Sequence, residues 1–173
     1  MISKTYFSGF CLENEDELFS EYIIRNDFTV SGFSYGAIKA FEEVLSSKQR
    51  VDKLQLFSPA FFQEQDKKFK RMQLMFFKKD ANAYCANFLE NIAYPSNIDC
   101  SKYFVQGNYE QLDELINYEW SEDKLEQLEK KGTKIEVFLG ADDKICDSLK
   151  AKDFFAKYAN VYYIKNVGHI LNK

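Results

Sequence analysis

Three side chains able to carry out acyl transfer occur in this chain in the order serine, acid, histidine. Ser34 lies in Gly32-x-Ser34-x-Gly36, which follows an apolar run and precedes a helix-forming one. A serine hydroxyl is a weak nucleophile, and a sharp strand-to-helix turn with small neighbours presents it free of crowding, with helical amides behind it. Further along, Gly140-x-x-Asp143 follows a strand-like run, and His169, the single histidine, stands near the end of the sequence. In these roles His169 takes the Ser34 proton, and an acid holds the imidazole tautomer and stabilises its charged form. Asp142, Asp143 and Asp147 all lie in the acid segment. Asp143 is preferred because it follows the tight turn at Gly140, which leaves Asp142 directed toward solvent.

An oxyanion also needs two preorganised amides, one from the residue after the nucleophile and one from a loop after an early strand. Tyr35 and Phe10 occupy those places, the second in the turn Ser8-Gly9-Phe10.

The elements that must position these groups are legible as strand and helix alternation. Ile2–Phe7 reads as a short strand, and Glu15–Ile24 has helical apolar spacing through Leu18, Phe19, Tyr22 and Ile23. Strands at 28–31 and 53–57 flank a helix stripe of Ala37, Ile38, Ala40, Phe41, Val44 and Leu45. Strands at 134–139 and 161–165 flank a helix at 147–158. This alternation predicts a parallel sheet. Loops at the carboxyl ends of its strands converge on one edge, so Ser34, Asp143 and His169 can meet. From about residue 60 to 131 the pattern changes to long helices rich in Phe, Tyr, Leu and Met, which reads as an inserted helical cap within one folding unit.

At 173 residues, 46% hydrophobic and 17% aromatic, the chain can bury a substantial core. A net charge of -4 gives no general attraction to nucleic acid. No signal-peptide pattern and no membrane-spanning run can be drawn. Cys11, Cys85, Cys100 and Cys146 are scattered without a C-x-x-C pair, so neither a metal nor a redox motif is expected, and a reduced cytoplasmic setting fits.

The cap carries a local basic patch of Lys67, Lys68, Lys70, Arg71, Lys78 and Lys79. It suits an acidic partner or simply the solvated face of an amphipathic helix. Interleaved Phe69, Met72, Leu74, Met75, Phe76 and Phe77 could line an acyl channel or pack the cap onto the sheet.

The elbow string Val30-Ser31-Gly32-Phe33-Ser34-Tyr35-Gly36-Ala37-Ile38-Lys39-Ala40, with Phe7-Ser8-Gly9-Phe10, Leu56-Phe57-Ser58-Pro59 and Ile135 to Gly140, resembles a short branch of the α/β-hydrolases. That branch contains the pimeloyl-acyl-carrier-protein methyl ester esterases of biotin synthesis. The resemblance implies an α/β-hydrolase fold with a reduced, mostly parallel sheet, and cleavage of a carrier-borne methyl ester to methanol and the free acid without a cofactor. It implies Ser34 as nucleophile, His169 as base and acid, Asp143 as its orienting group, and the Phe10 and Tyr35 amides as the oxyanion hole. An acyl carrier protein bearing the substrate on phosphopantetheine would dock on Lys67, Lys68, Lys70 and Arg71. The same triad serves a thioesterase or a general short-chain carboxylesterase, and a silent binding module of this fold is the non-enzymatic alternative. Relative to that family the chain lacks a strand and a helix between its first strand and the elbow strand. Phe10 stands where larger relatives often carry tryptophan, a position of which only the backbone amide is required.

Overall fold

A computed structural model describes residues 4–173. Five strands, β1 (Tyr6–Phe7), β2 (Thr29–Phe33), β3 (Lys53–Phe57), β4 (Lys134–Gly140) and β5 (Asn160–Ile164), form one sheet in sequential order, all neighbours parallel. The part of the expected first strand at residues 1–3 lies outside the described residues. β1 pairs directly with β2, Tyr6 opposite Ser31, with no strand or helix of regular length between them.

Residues alternate between the two sheet faces, as strand geometry requires. Val30, Leu54, Leu56, Ile135, Val137 and Leu139 face one side, where they pack with buried residues of α1 (Tyr35–Ser46), α5 (Glu122–Lys130) and α6 (Ser148–Phe155). Each fully buried aliphatic or aromatic side chain there contributes about 1.5–3 kcal/mol. The opposite face carries Phe33, Phe57 and Phe138, covered by Leu12, Phe19 and the C-terminal Val167, Ile170 and Leu171. The Phe19 and Phe57 rings stack in parallel at 4.7 Å.

The helix expected at 15–24 is instead a single 3-10 turn, Asp16–Phe19, followed by further turns. The reason lies in the sheet beneath it. Gln55, buried in β3, accepts from the Ile24 amide at 2.8 Å and donates to the Tyr22 carbonyl at 2.9 Å, holding this backbone in a non-helical path. Gln55 also donates to Glu136 of β4 at 2.9 Å, and Glu136 accepts from Lys53 at 2.6 Å, so a polar row crosses the face where the helix spacing had implied an apolar contact.

Between β3 and β4 lie α2 (Lys67–Lys79), α3 (Ala81–Ala93), a 3-10 turn, α4 (Tyr109–Asn117) and then α5. α2 packs on α3 and α4 above the carboxyl ends of the strands, whereas α5 packs on α1 and β4 and so belongs to the sheet layer. The two ends of the insertion are tied together: the Trp120 indole donates to the Ala60 carbonyl at 2.8 Å, and the Trp120 amide donates to Gln63 at 2.7 Å. No helix among the described residues is long and apolar enough to cross a membrane.

Candidate active site

The turn from β2 into α1 holds Ser34 at φ 54° and ψ −114°, a backbone conformation rarely adopted by an L-residue. Its amide donates to the Phe57 carbonyl at 2.9 Å and its carbonyl accepts from Ala60 at 3.1 Å, so neighbouring segments on both sides fix the turn. A Cβ at Gly32 would lie 2.2 Å from the Gly36 carbonyl oxygen, which explains why the elbow needs glycine there.

The sequence-separated triad meets at this edge of the sheet. His169 Nε2 lies 2.9 Å from Ser34 Oγ, and His169 Nδ1 lies 2.7 Å from Asp143 Oδ2. A carboxylate accepts only, so Nδ1 carries the proton and Nε2 is left to accept from the serine hydroxyl. The side chains of both His169 and Asp143 are fully buried. The other Asp143 oxygen accepts from the Ile145 and Cys146 amides at 2.7 and 3.1 Å, which orients the carboxylate. Asp142 is exposed, and Asp147 caps α6 by accepting from the Lys150 amide. Of the three acids in this segment, the geometry selects Asp143.

His169 is held in turn by Ser58, whose hydroxyl donates to the His169 carbonyl at 2.6 Å, and by the Phe33 ring, 5.0 Å from the imidazole. Neither Ser58 nor Phe33 stood out in the sequence. Cys146 places a third potential metal-binding atom within 4.8 Å of the Asp143 and His169 ligand atoms. Burial, followed by the Asp143 charge, pushes its thiol well above the ordinary range, so it stays protonated beside a pair already hydrogen-bonded to each other.

Among the described residues neither the Phe10 nor the Tyr35 amide has an acceptor within the protein. Tyr35 opens α1, where the first amides have no intrahelical partner. The turn bearing Phe10 is organised by Glu15, a side chain the helical spacing of 15–24 had concealed. Fully buried, Glu15 accepts from the Gly9 amide at 2.8 Å and from the Tyr6 hydroxyl at 3.0 Å, while its second carboxylate oxygen has no protein partner. Burial first, then Glu15 itself, holds the Tyr6 phenol far above its usual range, so it remains a donor.

A cavity of about 210 Å³ opens over Ser34 between the sheet edge and the cap. Phe10, Phe62, Phe69 and Phe88 provide much of its apolar wall. Of the interleaved apolar residues on α2, Phe69 lines this cavity and Phe77 is buried, but Met72, Met75 and Phe76 are exposed. Lys67, Lys68 and Arg71 are exposed and Lys70 partly so, at the end of α2 that also carries Phe69. These cations share α2 with Phe69, but none of them lines the cavity or belongs to the triad.

Fold and site together define a five-stranded α/β-hydrolase fold with a helical insertion over a Ser-His-Asp arrangement. Solved structures match most of the chain. The esterase EaEST from Exiguobacterium antarcticum superposes with a TM-score of 0.62 at 20% identity, over 89% of this chain and 63% of its own. A carboxylesterase structure from the thaumarchaeon Nitrososphaera gargenis gives 0.57 at 15% identity, over 81% and 57%. MenH from S. aureus gives 0.58 at 12% identity, over 99% and 90%. The chain therefore spans less than two thirds of the two esterases and most of the third structure. No family model and no curated protein matches the sequence.

Proposed function

We propose that this chain is a carboxylic ester hydrolase working through an acyl-Ser34 intermediate. The observation that carries this reading is the continuous hydrogen-bond chain Ser34–His169–Asp143 beside two amides, of Phe10 and Tyr35, that lack acceptors among the described residues. Ser34 Oγ attacks the ester carbonyl carbon as His169 Nε2 takes its proton, and the resulting oxyanion accepts from the Phe10 and Tyr35 amides. Collapse breaks the bond to the alcohol oxygen, which leaves with the proton from His169. Water, deprotonated by the same imidazole, then attacks the acyl-serine and releases the acid and free Ser34.

The substrate proposed is the methyl ester of pimeloyl-acyl-carrier protein, cleaved to methanol and the pimeloyl-carrier as a step toward biotin. Two features support it. Phe10, Phe62, Phe69 and Phe88 give the cavity over Ser34 an apolar portion that suits an acyl chain. The cations of α2, the helix that also brings Phe69 to the cavity, match the acidic surface such carriers present. Incubating the protein with that carrier ester and weighing the product by intact mass tests the reading: loss of the methyl group with the parent but not with Ser34→Ala is expected. Hydrolysis of small soluble esters with no turnover of the carrier ester would move the assignment to a general carboxylesterase.

A further inference from the structure

Polar residues interleave with the aromatic ones around the cavity over Ser34. Gln73, Asn87, Asn91 and Lys144 share the lining, and Lys144 is the one charged residue in it, with no acid among the rest. Asn87 and Asn91 lie one helical turn apart on the same face of α3, and neither side chain hydrogen-bonds within the protein among the described residues. Lys144 follows Asp143 directly yet forms no ion pair among the described residues.

Lys144 is exposed, and its ammonium group lies over the Tyr94 ring, with Nζ 3.5 Å from the centroid. Tyr94 ends α3, and its carbonyl presses so closely on the histidine loop that a Cβ at Gly168 would lie 1.8 Å from it. Cap and catalytic loop therefore meet beside this cation. A cation lying over a ring, beside amide side chains without protein partners among the described residues and with no acid in the lining, offers donors to an anion.

We infer that Lys144, with Asn87 and Asn91, determines specificity by binding an anionic, acceptor-bearing group attached beyond the apolar acyl chain. This rests on the ester hydrolase reading and narrows its substrate class to esters whose far end is charged. The group can be a free carboxylate on the chain or the phosphate of a phosphopantetheine arm. Both offer the same chemistry to Lys144, with carbonyls or amides for the two asparagines.

Binding can be measured without turnover by calorimetry on Ser34→Ala, which separates this inference from the hydrolase reading. Two matched pairs serve as probes: monomethyl against dimethyl pimelate, and the methyl pimeloyl thioester of phosphopantetheine against that of pantetheine. In at least one pair the anionic member should bind about tenfold more tightly, equivalent to one well-placed charge contact, and the pair that discriminates identifies the source of the anion. Adding Lys144→Ala should bring the ratio of the two Kd values near one, Lys144→Arg should keep it, and Lys144→Glu should invert it. Equal binding within both pairs, or a ratio that survives Lys144→Ala, would overturn the assignment. Failure of the parent to hydrolyse any ester would count against the hydrolase reading, while the calorimetric ratio would still decide whether Lys144 selects anions.

Discussion

Asp143 and Glu15 each hold in place a group that the proposed acyl transfer uses, the His169 imidazole in one case and the turn bearing the Phe10 amide in the other. Asp143 holds Nδ1 protonated, so Asp143→Asn, which can present a donor there, should stabilise the wrong tautomer and lower kcat by about 10⁴-fold while the fold persists. Circular dichroism alongside ester kinetics checks both parts. Glu15 positions the turn that bears the Phe10 amide, through its bond from Gly9. Glu15→Ala should lower kcat about tenfold or more with KM little changed, because the oxyanion forms only after attack. Glu15→Gln retains an acceptor and should restore much of that loss. A matching rise in KM, or no rescue by Gln, would assign Glu15 a general structural role instead. That Ser34, Asp143 and His169 meet was legible in the sequence because residue type, order and post-strand position, each commonplace alone, occur together. Glu15 was not, since a buried acid at helical spacing looks like any solvated one until Tyr6 and Gly9 are placed around it.

At the scale of elements, β2 to β5 could be read from apolar runs ended by turn residues, and α1 from its stripe, whereas of the described part of the expected first strand only Tyr6–Phe7 is strand. The segment 15–24 misled for a definite reason. Leu18, Phe19, Tyr22 and Ile23 do bury or partly bury against the sheet, but Gln55 supplies the hydrogen bonds that would otherwise drive this backbone into a helix. Side-chain competition of this kind from a distant strand leaves no local signal. The cap is fastened to the core by Glu114 of α4, which accepts from the Tyr35 hydroxyl and the Lys39 ammonium of α1, both at 2.6 Å. Burial alone would raise the Glu114 carboxyl, but the hydrogen bonds from Lys39 and Tyr35 outweigh it and hold it below its ordinary value of 4.5. A depressed folded pKa gives stability that is complete above the unfolded value and lost as pH falls through the folded one. Because the pair is about half exposed, its contribution is small, of order 0.5 kcal/mol. Thermal melts from pH 7 to 3 should show Glu114→Gln losing less stability on acidification than the parent. Identical acid dependence in the two proteins would contradict this account of the clasp.

For the whole molecule, charge is unevenly placed. The chain carries a net charge of -4, yet α2 holds Lys67, Lys68, Lys70, Arg71, Lys78 and Lys79 with no acid on the helix. None of the six joins an ion pair among the described residues. If this field steers an acidic carrier, kcat/KM on the carrier ester should fall severalfold as ionic strength rises from low to near-physiological values, while a small neutral ester responds little. Replacing Lys67, Lys68, Lys70 and Arg71 by Ala should flatten that salt dependence. Equal salt response with both substrates would remove the carrier-docking role. Hydrolysis by the proposed route requires a covalent bond at Ser34. Intact-mass analysis, with peptide mapping, after exposure of the parent and Ser34→Ala to a fluorophosphonate reads that bond. One adduct is expected, on Ser34 and absent from the variant; an unlabelled parent, or an adduct that persists in Ser34→Ala, would rule out Ser34 as the nucleophile.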